Sequence, residues 1–303
     1  MNIISLFSGA GGLDLGLIQA GHHIVWANDV DANAVATYKT NVDDKIVQAD
    51  IKDIAINDIP NAEVVVGGFP CQGFSVANLK RSMDDERNHL YTFFYNTVLI
   101  KQPLFFIAEN VKGILSLGGG QILNRIIADF HNAGYIVEVH KVNMADYGVP
   151  QHRERVIFIG QRRDLGEQMI FQFPQPTHTK ENWVSIGEAL NAIPVEGLQD
   201  DPNNIGSNYK IVVKNFTAHR VTDPNKPCPT ILARGNGKGG VCAIPHPNGQ
   251  RRLTIRESAV IQTFPLDFVF EGNMGSCYRQ IGNAVPVLFG HILGTELARI
   301  EVL

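Results

Sequence analysis

The sequence is poor in the features that anchor or staple a chain. It has no uninterrupted apolar run near the roughly 18 residues that a bilayer span requires, so no membrane segment is expected. Only four cysteines occur in 303 residues (Cys71, Cys228, Cys242 and Cys277), and none is spaced from another as zinc ligands are. Free thiols are therefore expected, with neither a disulfide framework nor a metal site. Disorder is also excluded, because 44% of residues are apolar and only 18% are charged. The opening segment MNIISLF lacks the basic stretch and small-residue cleavage site of a secretory leader, so a cytoplasmic location is expected. At this length there is room for one large α/β domain with an appended lobe.

Charge is spread unevenly. Residues 1–150 carry 10 Lys and Arg against 16 Asp and Glu, whereas residues 151–303 carry 16 against 14. The contrast is sharpest over residues 210–256, where nine basic side chains (Lys210, Lys214, Arg220, Lys226, Arg234, Lys238, Arg251, Arg252 and Arg256) meet a single acid, Asp223. Such an excess is the expected footprint of a surface that neutralises phosphates, although a solvated basic face would look the same.

Short apolar, β-rich runs alternate with helical spacing through the first half. Strands are expected over 3–7, 24–28, 46–48, 64–67 and 104–108, with helical faces at 13–18, 32–38 and 118–130. This alternation predicts βαβ units and a mostly parallel sheet covered by helices on both faces. Residues 135–142 and 155–160 read as two further strands forming a hairpin at one sheet edge. From about Gln161 to Pro247 the chain becomes rich in Pro, Asn and Gly (PQPTH, DDPNNIGSN, DPNKPCP, RGNGKGG), which predicts an irregular lobe. Helical pattern returns over 254–262. Asn283, Ala284, Val285 and Pro286 are expected to open a last helix, with Asn near its cap and Pro in its first turn.

Three strand ends carry residues suited to chemistry. The first runs into Phe7-Ser8-Gly9-Ala10-Gly11-Gly12-Leu13-Asp14, a tight glycine turn whose backbone amides can receive a polar or anionic ligand. A dinucleotide fingerprint would need a third glycine where Asp14 stands, so a mononucleoside fits better than a nicotinamide cofactor. Asp29, ending the second strand, is placed to accept both hydroxyls of a ribose. Asp50, ending the third, suits the exocyclic amine of an adenine, with Val30 and Ile51 on its faces; strand-end acids also serve as plain caps. The fourth strand delivers Gly67-Gly68-Phe69-Pro70-Cys71-Gln72-Gly73-Phe74-Ser75 at its carboxyl end, where open α/β sheets place ligands. Glycines and a proline around Cys71 would hold its thiol in a fixed pose, and thiolate is the nucleophilic form.

The ordered blocks FSGAGGLDLG, AND, QADI, GGFPCQGFS, AENV, QHRERV, RESAVIQTFP and QIGNAVPV resemble those of the DNA (cytosine-5) methyltransferases of bacterial restriction-modification systems, in their usual order. The resemblance spans residues 7–287, nearly the whole chain. Two departures are Ser258, where many members carry cysteine, and Asp29, where glutamate is frequent; both keep the polarity or charge of the position.

The resemblance implies an α/β fold of the S-adenosylmethionine-dependent, Rossmann-like type, with a mostly parallel sheet and a small irregular target-recognition lobe. The catalytic domain would comprise residues 1–165 and 271–303, and the lobe residues 166–270. It implies S-adenosyl-L-methionine as cofactor, S-adenosyl-L-homocysteine as product, and double-stranded DNA as substrate. A monomer is expected, with a cognate restriction endonuclease as a conceivable partner at the same site. Among site residues it implies Cys71 as nucleophile and Glu109 as the carboxyl at the pyrimidine ring nitrogen. Arg155 would hold the cytosine carbonyl oxygen, and Arg153 a phosphate or the Glu109 region. Arg153 and Arg155, two apart, would share one face of a strand. Cofactor contacts would come from Phe7, Ser8, Gly9, Gly11, Gly12, Leu13, Asp29, Val30, Asp50, Ile51, Pro70, Asn283 and Ala284. Gln72, Ser75 and Asn110 would order the loop and touch the displaced nucleotide, Arg234 and Lys238 would approach DNA, and Arg256 and Glu257 would fasten the two lobes. Competing readings are the same chemistry on transfer RNA, a non-catalytic DNA-binding regulator, and a nicotinamide dehydrogenase.

Overall fold

In the computed structural model, residues 1–69, 89–166, 168–193, 200–207, 222–233 and 244–300 are described. Seven strands form one sheet: β1 (Asn2–Leu6), β2 (His23–Asp29), β3 (Ile46–Gln48), β4 (Val64–Gly67), β5 (Phe105–Val111), β6 (Tyr135–Asn143) and β7 (Glu154–Arg162). Their spatial order is β3-β2-β1-β4-β5-β7-β6, with β7 antiparallel to both of its neighbours and the rest parallel. The expected edge hairpin is therefore present. The chain starts in the middle, works outward to β3, and returns to β4 on the other side of β1. That reversal opens a crevice at the carboxyl ends of β1 and β4, where doubly wound sheets bind ligands.

Alternation along the central strands supplies two cores. Ile3, Val64, Val66, Phe105 and Ile107 face one side, with α1 (Gly12–Gln19), α2 (Ala32–Asn41) and α8 (Val287–Ala298) packed over them. Ile4, Leu6, Val65, Phe106 and Ala108 face the other, beneath α3 (His89–Lys101) and α4 (Gln121–Asn132). Three successive valines thus serve both faces, which is why a run of apolar β-branched residues reads as a strand buried on both sides. Among the described residues no helix is long and apolar enough to cross a membrane.

Helices α1 and α8 meet through glycine. A Cβ on Gly16 would stand 2.3 Å from the Val287 carbonyl oxygen and 2.4 Å from the His291 nitrogen, and one on Gly290 would stand 2.7 Å from Leu13 O. Backbone touches backbone here, so neither side can yield by turning a side chain.

The second lobe has its own core, formed by α5 (Ile186–Asn191), α6 (Ile255–Ile261) and α7 (Met274–Asn283) around Cys228, Ile231, Ile244, Leu253 and the ring cluster Phe264, Phe268 and Phe270. Thr254 and Glu257 start α6 with reciprocal capping bonds. Between β7 and α6 the described residues form one short helix and isolated bridges, in keeping with an irregular lobe. Two expectations need correction. Asn283 ends α7 rather than opening the last helix, and Pro286 is the N-cap of α8 rather than in its first turn. The intervening residues Ala284 and Val285 are held against Gly12, so the chain must turn before it can coil again.

Gly16→Ala should destabilise the fold by about 2–3 kcal/mol, the penalty of forcing a methyl into a filled backbone contact. Urea unfolding would report it as a lowered midpoint; an unchanged midpoint would mean that α1 and α8 part without loss.

Candidate active site

At the end of β1 the backbone turns sharply. Phe7 (φ 57), Gly9 (φ 58) and Gly11 (φ 86) all lie in the left-handed region, and Gly11 is the N-cap of α1 without any side-chain cap. The helix therefore begins with exposed amides. The Gly9 amide donates to Asp29 Oδ2 (2.8 Å) and the Asp31 amide to Asp29 Oδ1 (2.8 Å), so Asp29 joins the glycine loop to the end of β2. Burial is the main influence on its carboxyl and raises its pKa, with the two amides opposing. Next to it Val30 is 66% exposed, an apolar side chain with no apolar cover, and a Cβ built on Gly9 would meet nothing within 4 Å. Open space above the loop, an acid at its rim and an uncovered valine suit a nucleoside.

The other expected cofactor residues fall unequally. Ala284 and Val285 lie against Gly12, where a Cβ would stand 2.4 Å from Val285 O, so this block does come back to the loop. Asp50 caps a short helical turn by accepting from Lys52 N (3.2 Å) and also pairs with Lys52 Nζ (3.1 Å). Ile51 is 3% exposed and packs in the core.

Asp14 was not singled out from sequence except as the residue standing in for a glycine. It is 1% exposed and accepts from Ser5 Oγ (2.7 Å) and Tyr38 Oη (2.8 Å), while Ser8 Oγ donates back to Ser5. A chain of hydroxyls thus supports the glycine loop from below. Burial, partly offset by the two hydroxyl donors, pushes the Asp14 carboxyl up to about 6. The available signal was an acid one turn before the buried Leu17, in a helix that also buries Gly12 and Gly16.

A second cluster forms where β4 and β5 end. The strands pair with Gly67 opposite Ala108, so Gly68 and Glu109 are side by side; a Cβ on Gly68 would sit 3.4 Å from Glu109 Oε2. Asn110, 3% exposed, donates from Nδ2 to Phe69 O (2.8 Å), and the Phe69 ring is gripped by Tyr91, Phe94 and Phe158. Pro70, Cys71, Gln72 and Ser75 lie outside the described residues. Arg155 pairs across from Val111, and Glu109 is its diagonal neighbour on the same face. Arg155 Nε lies 2.7 Å from Glu109 Oε1, each side chain about one-eighth exposed (12% and 13%). The N–H is not aimed along that line, and Glu109 Oε1, buried, has no hydrogen-bond partner among the described residues. Here is a carboxylate oxygen that is charge-compensated yet still free to bond. A cleft of about 570 Å³ opens beside Arg155, lined also by Val111, Glu154, His152, Trp183 and Thr230.

Arg153 departs from expectation. It precedes β7 instead of sharing a strand face with Arg155, is 1% exposed, and donates from Nη1 to Ile231 O (3.3 Å) and Gly282 O (3.1 Å). Burial, then the like charge of Arg155, lowers its pKa to about 9, with Glu109 opposing. It joins three segments and does not reach a surface phosphate. The basic stretch also changes meaning. Arg252 and Arg256 are 2% and 1% exposed, Arg251 is paired with Glu257 (2.6 Å), and Lys226 with Asp223 (3.3 Å). Arg256 clasps Asp201 (2.6 Å) and the Phe268 carbonyl, so it ties the second lobe to itself and not to the first. Contacts between the lobes include Arg153 to Ile231 O, Arg279 to Asp31 (2.9 Å), and Asn41 with Val269 through a reciprocal pair of 2.7 Å bonds. Lys210, Lys214, Arg220, Arg234 and Lys238 lie outside the described residues.

Comparison with known proteins agrees with this geometry. The model of the C-5 cytosine-specific DNA methylase family matches residues 1–299. The Type II methyltransferase M.NgoFVII of Neisseria gonorrhoeae is 40% identical over 314 residues, covering 94% of this chain and 83% of that protein. M.FnuDI of Fusobacterium nucleatum, also a Type II methyltransferase, is 35% identical over 331 residues, covering 98% and 94%. Among solved structures, a candidate DNA modification methyltransferase encoded within an E. coli prophage superposes with a TM-score of 0.76 at 28% identity, covering 98% of each chain. The S. pombe Dnmt2 methyltransferase shares the fold at a TM-score of 0.75 and 18% identity, covering 98% of each chain.

The raised Asp14 pKa has a sign. Below about pH 4 the acid is protonated folded or unfolded and makes no difference. Between about 4 and about 6 the unfolded chain releases the proton and the folded one keeps it, so stability falls by about 3 kcal/mol as pH rises through that window. Asp14→Asn, which cannot ionise, should lack this component; urea unfolding of both proteins at pH 4 and pH 7.5 would show parallel changes if the account is wrong.

Proposed function

Because this chain belongs to the C-5 cytosine-specific DNA methylase family and so modifies DNA cytosine at carbon 5, we propose that it does so on a cytosine rotated out of a short duplex site, using S-adenosyl-L-methionine and a transient Cys71 adduct at carbon 6. The carrying observation is Glu109: a largely buried carboxylate whose Oε1 is paired with Arg155 without a hydrogen bond, and whose Oε2 lies beside Gly68, three residues before Cys71.

Carbon 5 of an intact pyrimidine is a weak nucleophile. Addition of the Cys71 thiolate to carbon 6 breaks the ring's aromaticity and moves the electron pair toward ring nitrogen 3, where Glu109 shares or donates a proton. Carbon 5 then has enamine character. When bound, the cofactor supplies a methyl group on a cationic sulfur and departs as S-adenosyl-L-homocysteine. Water takes the proton from carbon 5, the thiolate is expelled, and Glu109 recovers its proton from ring nitrogen 3, which restores the ring and the enzyme. Arg155 holds the cytosine carbonyl oxygen, and Asn110 fixes the Phe69 carbonyl two residues before the nucleophile. Burial raises the Cys277 thiol to about 11 and pushes Cys228 higher, so neither provides thiolate at neutral pH.

The cofactor would rest on the glycine loop, with Asp29 toward the ribose, Val30 toward the base, and the Asn283–Ala284 block beside Gly12. The open space over Gly9 supports this fit. Residues 166–270 would form the reading lobe, with Arg234 and Lys238 toward the DNA and Gln72 and Ser75 toward the displaced nucleotide. Rotating the base out costs about a few kcal/mol in stacking and pairing, which contacts in the cleft must offset. The protein would act in the cytoplasm as a monomer, and its Type II relatives suggest a restriction endonuclease sharing the site.

Cys71→Ser should abolish methyl transfer while leaving DNA and cofactor binding largely intact, measured by labelled methyl incorporation and calorimetry; appreciable turnover would exclude the covalent step. Glu109→Gln should lower kcat about 10²–10⁴-fold. Bisulfite sequencing of DNA from expressing cells tests the whole reading, since unmethylated cytosines throughout would reject it.

A further inference from the structure

Two glutamines with no solvent exposure, Gln151 and Gln262, link the second lobe to the cofactor side of the molecule. The Ile231 amide donates to Gln151 Oε1 (3.0 Å). Gln151 Nε2 donates to Gln262 Oε1 (3.0 Å), and Gln262 Nε2 donates to Ile281 O (2.7 Å) and Ala284 O (3.3 Å). Each side-chain amide accepts with its oxygen and donates with its nitrogen, so the bonds run in one direction across four chain segments.

Both ends are tied to working parts. At one end, residues 228–231 are laced to the approach of β7 by Cys228 N to Pro150 O (2.9 Å) and His152 N to Cys228 O (2.8 Å), five and three residues ahead of Arg155. This segment leads directly into Arg234 and Lys238. At the other end, Ala284 and Val285 press on Gly12 of the glycine loop, and Val287 N donates to Gln262 O (3.3 Å) at the start of α8. A site that needed only filling would take leucine or methionine. Buried amides are tolerated because they are bonded, and a fully bonded network imposes a register that hydrocarbon does not.

We propose that Gln151 and Gln262 are positioning residues that couple the DNA-reading segment to the cofactor loop, so that duplex DNA and cofactor each tighten the binding of the other. The proposal rests on the function given above. Movement of residues 228–231 onto DNA shifts the Ile231 donor, and the relay passes that displacement to the backbone of residues 281–284. By linkage the effect is reciprocal.

The test is the affinity of S-adenosyl-L-homocysteine, measured by calorimetry with and without a duplex carrying the site mapped by bisulfite sequencing. The unmutated protein should bind the product about tenfold more tightly with DNA, within the about 5–150-fold usual for coupled sites. In Gln151→Met and Gln262→Met the ratio should fall to within about twofold of one, with affinity in the absence of DNA retained. A purely structural role predicts a lower melting midpoint with the ratio kept; that result, or a ratio of one in the unmutated protein, overturns the relay. Should the variants fail to fold, hydrogen exchange on the unmutated protein decides: adding the product without DNA should slow exchange at Ile231 several-fold, and no change would overturn the proposal. Methyl transfer to duplex DNA, assayed on the same preparation, separates the two failures. Transfer without coupling refutes the relay alone, whereas no transfer to any duplex refutes the function and the relay together.

Discussion

A guanidinium sealed inside a protein needs partners, and Arg153 finds them through Nη1 on two other segments of chain, while its Nε has none among the described residues. Its charge is opposed by Glu109, and its Nη1 is shared between the carbonyls of Ile231 in the second lobe and Gly282 at the end of α7. Removing such a group would strand two carbonyls, while keeping it forces the three segments to meet at one point. Because Arg153 stands immediately before β7, that meeting point also sets where Arg155 enters the sheet beside β5. Glu109 thus has beside it a buried neighbour that does not touch solvent.

The opposite side of the crevice is held by close approach. Gly12 and Gly16 let the backbone of residues 285–291 lie directly on α1, and the hydroxyls of Ser5 and Tyr38 converge on Asp14 underneath, with Ser8 bonded to Ser5. Hydrogen bonds give the glycine loop its shape from below, and van der Waals contact fixes its position from behind. The upper surface, with the Gly9 turn, Asp29 and Val30, is left clear.

Much of this was legible in the sequence, for identifiable reasons. Val64, Val65 and Val66 could only be a strand covered on both faces, and the segments that became β6 and β7 already read as an edge hairpin. Glycine turns announced the loop after β1. Helix α7 was overlooked although Met274, Cys277, Tyr278 and Ile281 stand at helical spacing, because its glycines and polar residues do not look like a buried helix; Asn273 caps it, and the buried Gln280 donates to Ser276 Oγ and Glu271 O. Arg252, Arg256 and Arg153 were misread for a related reason. Charge in a sequence suggests surface, and nothing in one-dimensional spacing tells that Asp201 or a set of carbonyls waits in the interior. Asp14 was hidden by its motif, in which it looked like a missing glycine.

Phe7 holds a left-handed backbone without being glycine, a conformation that costs about 1–3 kcal/mol and survives only where its surroundings insist on it. The most strained residue of the first strand is thus also the threshold of the crevice. Whatever settles on that threshold meets a backbone already bent toward it. Resistance to heat in such a molecule becomes a property of supply: well fed with its small partner it should be robust, and starved of it, most vulnerable at the hinge of its innermost strand.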